Sequence, residues 1–93
     1  MSILTEAHEI TSGDRNSSYG DFVEDYARTV ALFKLVTGHD LTPAEGIAFM
    51  QCVKLSRLGH GLQGDLPPEK LRDSLVDLAG YTRGVAQALG VDE

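Results

Sequence analysis

Apolar residues recur along this chain at the spacing of an amphipathic helix, and no stretch alternates as a strand would. Ser2 to Ser12 carries Ile3, Leu4, Ala7 and Ile10 at that spacing, with Gly13 as a C-terminal stop. A run of turn formers, Gly13-Asp14-Arg15-Asn16-Ser17-Ser18-Tyr19-Gly20, then predicts a loop. Asp21 follows as the N-cap of a second helix, with Glu24 completing a capping-box variant, and Phe22, Tyr26, Val30 and Phe33 form the apolar face, flanked by Val23, Ala27 and Ala31. Gly38 ends it. Thr42, Pro43 and Glu45 mark the start of a third helix, with Ile47, Met50, Val53 and Leu58 inward and Gly59 as its predicted end.

The residues from Gly59 to Asp65 read as a loop, and Pro67-Pro68 opens a fourth helix that runs to about Leu89. Its predicted core stripe is Leu71, Leu75, Leu78, Ala79, Val85 and Leu89. Gly80 and Gly84 lie on another side, each costing about 1 kcal/mol of helix propensity relative to Ala, a cost that a close approach of neighbouring chain would offset. The expected architecture is all-α: a compact bundle of four helices in one domain over residues 1–93. A core this small leaves stability marginal, so a homo-oligomer is the expected state.

Charge narrows the partners. Eight Lys and Arg against fourteen Asp and Glu give a net charge of −6, and the basic residues do not cluster, so duplex nucleic acid is disfavoured. A small anion held by a local basic group is still compatible with that balance. The single Cys52 reads as a small buried hydrophobe and has no partner for an internal disulfide, which suits a reducing compartment. With no apolar run near the ~18 residues needed to span a bilayer, the expected location is the cytoplasm of a cell or of an infected host. His8, His39 and His60 show no zinc-ligand spacing, Ser17 and Ser18 have no triad partners in sight, and there is no Walker or Rossmann glycine pattern.

Two features carry candidate chemistry. Lys54 falls beside the apolar stripe of the third helix, with Arg57 one turn on. It either snorkels or pairs with an acid of the fourth helix, or else it presents a cation to a phosphate. Asp73, Asp77 and Tyr81 stand at i, i+4 and i+8 on the fourth helix. Two carboxylates so spaced suit a shared hard cation such as Mg²⁺, which keeps waters for a bound phosphate. They equally suit a solvated helix face. Antiparallel packing of the third and fourth helices would bring Lys54 to Asp77, as a salt-bridge network or as a phosphate-and-metal site. Asp21 and Glu24 form a third acidic pair, which capping explains.

Gly13-Asp14-Arg15, Ser18-Tyr19-Gly20, Lys54-x-x-Arg57 and Asp73-x-x-x-Asp77-x-Ala79-Gly80-Tyr81 together resemble a family of small phage and prophage proteins of unassigned function, over roughly residues 8–89. That family in turn looks like a reduced relative of the MazG-like all-α nucleotide pyrophosphohydrolases, whose helices present Glu-x-x-Glu and Glu-x-x-Asp to Mg²⁺ and a nucleoside triphosphate. The resemblance implies a metal set of Asp73, Asp77 and Glu24, with Lys54, Arg57, Arg15, Tyr19 and Tyr81 on the nucleotide. Asp73 and Asp77 are spaced one residue wider than the enzyme pair. Three functions follow as expectations: a nucleotide-binding protein that hydrolyses triphosphates with Mg²⁺, a sponge sequestering a signalling nucleotide such as a cyclic one used in host defence, and a helical protein adaptor.

Overall fold

The computed structural model describes residues 1–12 and 21–91, which form four helices: α1 (Ile3–Ser12), α2 (Phe22–Thr37), α3 (Pro43–Gln63) and α4 (Pro68–Leu89). The described residues contain no strand. The loop assigned to residues 13–20 lies outside them.

Local chemistry sets the ends of α2 and α3. The Asp21 carboxylate accepts from the Glu24 amide at 3.0 Å, while Gly38 takes the left-handed conformation (φ 78°) that a residue without Cβ adopts freely, and its N–H donates to the Lys34 carbonyl. The Glu24 side chain makes no return bond to complete a capping box there. At α3 the box is complete: the Glu45 amide donates to Thr42 Oγ1 at 3.1 Å, and the Thr42 amide donates to Glu45 Oε1 at 2.8 Å. Gly59 does not end α3, which continues through His60 to Gln63. Gly61 explains this: it is buried, and a Cβ there would meet Leu66 Cδ1 at 2.6 Å and Leu71 Cδ2 at 2.9 Å, so packing beyond residue 59 outweighs the weak helix propensity of glycine.

Phe22, Tyr26 and Ile47 form the core, with Met50, Tyr81, Val85 and Ala88 packed against them. The rings of Phe22 and Tyr26 stack at 5.2 Å, and Tyr81 meets both edge-on, at 5.8 Å and 6.4 Å. Phe22 reaches this position because Gly84 has no side chain: a Cβ there would stand 2.6 Å from Phe22 Cδ1 and closer still to Cε1. Gly80 admits Thr11 in the same way, at 3.1 Å from its methyl group. The most buried face of α4 is therefore Val76, Gly80 and Gly84, whereas Leu75 and Leu89 of the expected stripe are 40% and 62% exposed. The close approach to the glycines comes from side chains of α1 and α2.

α3 and α4 run antiparallel, matched by the Gln51–Thr82 side-chain bond (3.0 Å) near one end and by Gly61 against Leu71 near the other. α1 lies along α4 in the same direction, with Glu6 and the Met1 carbonyl on Arg72, and Thr11 and Ser12 on Arg83. Its buried residues are Ala7 and Thr11, while Leu4 is 76% and Ile10 48% exposed, because a helix resting on a glycine face needs small residues at the contact. Cys52 is exposed, contrary to its expected burial: it stands five residues from Ile47, half a turn off the inner face.

These contacts separate two glycines that sequence alone treats alike. Gly84→Ala is expected to destabilise the fold by ~1–3 kcal/mol, because the added Cβ overlaps the Phe22 ring. Gly59→Ala, which meets nothing within 4 Å, is expected to stabilise it by up to ~1 kcal/mol. Urea unfolding of both variants checks the opposite signs.

Candidate functional site

The antiparallel packing of α3 and α4 places Lys54 opposite Asp77, and Lys54 Nζ donates to Asp77 Oδ2 at 2.8 Å. Of the alternatives open for Lys54, the pair with an acid of the fourth helix is thus formed. The Lys54 side chain is 17% exposed and that of Asp77 40%, so the lysine stem lies in the helix seam while the carboxylate reaches the edge. Arg57, one turn further along α3, is exposed and makes no ion pair among the described residues. Lys54 and Arg57 thus stand as two cations one turn apart, the first neutralised by Asp77, in a chain whose overall charge is −6.

On its other side Asp77 borders a cavity of about 120 Å³, walled by Ala7 and Thr11 of α1, Phe22 of α2, and Val76 and Tyr81 of α4. Thr11 is buried, and its hydroxyl donates to the Ala7 carbonyl at 2.8 Å and accepts from Arg83, so the wall it forms has no unsatisfied hydroxyl. Tyr81 is half-buried, its ring engaged by Phe22 and Tyr26; the base-stacking role expected of it competes with this packing.

The three carboxylates expected to hold a metal do not form one group. Asp73 is exposed one turn from Asp77, and Glu24 is exposed on α2. No three His, Cys, Asp or Glu side chains are grouped as metal ligands among the described residues. A divalent cation at Asp77 would also have to contest the oxygen that Lys54 already neutralises. The residues present do not fit the expected Mg²⁺ set. Arg15 and Tyr19 lie outside the described residues.

Sequence reasoning passed over Arg72 and Arg83, the two guanidinium groups that tie α1 to α4. Their separation was the available signal: eleven residues is three helical turns, which puts both on one face. No helix among the described residues is long and apolar enough to cross a membrane.

The architecture is that of a small all-α domain of four helices. The chain belongs to the family described as "Domain of unknown function (DUF6378)", whose model matches residues 2–89. It is 34% identical over 95 aligned residues to the Gene 55 protein of Mycobacterium phage L5, a similarity that covers the whole chain and 55% of that relative, so the chain spans about half the relative's length. It is thus a phage-type protein. No solved structure matches it.

The half-buried ion pair has a measurable coupling. A double-mutant cycle on Lys54→Met and Asp77→Leu, read by urea unfolding, is expected to give ~0.5–1.5 kcal/mol, with each single variant less stable than the double. Additive single effects would assign the pair no part in holding the α3–α4 seam.

Proposed function

We propose that this phage-type protein binds nucleotide phosphate beside the α3–α4 seam, in the manner of the MazG-like proteins that its motifs resemble, and holds the ligand without hydrolysing it. The observation that supports this reading is the placement of Lys54, whose ammonium is fixed by Asp77 at 2.8 Å while Arg57 stands one turn away without an ionic partner among the described residues. A cation that is already oriented and partly desolvated loses less freedom when it meets a phosphate, and an adjacent guanidinium adds bidentate bonding. Asp77 acts here as a positioning residue. Arg15, Tyr19 and Tyr81 enter the reading through the resemblance, as contacts to the rest of the nucleotide.

The carboxylates favour binding over turnover. Pyrophosphate hydrolysis of the MazG kind relies on an acidic cluster around Mg²⁺, and Asp73, Asp77 and Glu24 do not form one. A sponge that sequesters a signalling nucleotide, such as a cyclic one, in the cytoplasm of an infected host is the form of this function that asks least of the site. The protein works as a homo-oligomer in this reading. A helical adaptor is the second reading, favoured by Leu35 and Val36, which are 81% and 82% exposed.

The test is a thermal-shift series with nucleoside triphosphates and cyclic nucleotides, each with and without Mg²⁺, followed by mass spectrometry of the recovered ligand. A ligand at ~100 times its Kd adds about 2.7 kcal/mol to the folded state, which raises Tm by roughly 10–20 °C in a domain of this size. The expected result is such a rise with intact ligand, abolished in Lys54→Met. Mg²⁺-dependent loss of triphosphate would replace the sponge with an enzyme, and no shift with any nucleotide would leave the adaptor reading.

A further inference from the structure

Beyond Val30, α2 has no buried residue. Every residue from 31 to 40 is exposed, although the stretch holds Leu32 at 62% and Val36 at 82% exposure. Thr29, Leu32, Phe33 and Val36 follow one another at i, i+3, i+4 and i+7, and so form a single stripe along the helix. Thr29 and Phe33 are also one wall of an open apolar groove of about 170 Å³, whose other wall is Leu41, Phe49 and Met50. Phe49 is 60% exposed, and Cys52 extends its stripe one turn along α3. The α2–α3 hairpin thus carries a continuous apolar face that the other described residues leave uncovered.

The charged groups around that face are engaged within the chain. Lys34 pairs with Asp40 at 3.3 Å, Asp25 with Arg28 at 3.7 Å, and Glu45 caps α3. None of the face-forming side chains is charged. This matters for the choice of occupant: two copies of a chain with net charge −6 repel each other, so a second copy needs a contact area free of charge. The area also matches. With roughly 160–210 Å² for a fully exposed residue of these types, Leu32, Phe33, Val36 and Phe49 leave about 450 Å² open to solvent. A standard interface buries about 800 Å² on each partner, somewhat over half of it non-polar, which is again about 450 Å².

We infer that the α2–α3 hairpin face is a self-association surface, on which a second copy of this chain docks by the same face across a two-fold axis. This deepens the oligomeric part of the reading above and is independent of nucleotide. Sedimentation velocity across a concentration series is expected to give twice the 10.0 kDa chain mass for the unmodified protein. Leu32→Glu and Val36→Glu should each halve that mass with the helical circular dichroism unchanged, since both side chains are in solvent in the single chain. Leu4→Glu, at an exposed apolar position on α1, should keep the doubled mass. An unmodified protein that is monomeric at every concentration would overturn the inference. So would an associated protein whose mass neither hairpin variant changes, although general oligomerisation would survive that second result. Because no ligand is present in either measurement, failure here does not bear on phosphate binding at Lys54.

Discussion

The Phe22 ring occupies space that a single Cβ at residue 84 would deny it, and the rest of the bundle is arranged around that contact. With the ring in place, Tyr26 stacks on it and Tyr81 meets both edge-on, so α2 and α4 are joined by aromatic faces whose geometry is directional. Ile47 fills the remaining space from α3 and is fully buried. The helix propensity lost at Gly84 is thus exchanged for burial of a phenylalanine, a gain of about 1.5–3 kcal/mol against a cost near 1.

What could be read in the sequence divides by range. Caps act over three or four residues, so the starts of α2 and α3 are legible from Asp21, and from Thr42 with Pro43 and Glu45. Gly59 misleads for the same reason: glycine signals a stop locally, while the reason α3 continues lies in Leu66 and Leu71, which approach Gly61 from beyond the turn. The face of α4 misleads through size. Hydrophobic period picks out leucines, but the tightest seam is made of Val76, Gly80 and Gly84, where the contribution of glycine is the absence of a side chain. Exposed Cys52 is the converse case, a residue type that is usually buried but stands here on an outward face.

The site was legible in proportion to how far it rests on helix phase. Lys54 and Asp77 meet because antiparallel packing of two regular helices brings their facing stripes into register. Asp73 and Glu24 share no such constraint; being next to Asp77 in period, or similar to it in charge, does not aim a side chain inward. Among the described residues no three acids gather into a cation site, and Asp77 serves Lys54 instead. The carboxylate that the resemblance implied as a metal ligand is instead the counter-charge that fixes an ammonium group.

α1 is the least entrenched part of this architecture. Its ten residues bury only Ala7 and Thr11, and it is moored to α4 at one end by Arg72 and at the other by Arg83. It also supplies one wall of the cavity beside Asp77. Elements with so little buried area open at lower free-energy cost than the core, and a half-exposed guanidinium–carboxylate mooring weakens as ionic strength rises. The room available next to Asp77 is therefore a property of the solution as much as of the fold, set by how tightly two arginines hold down a short helix.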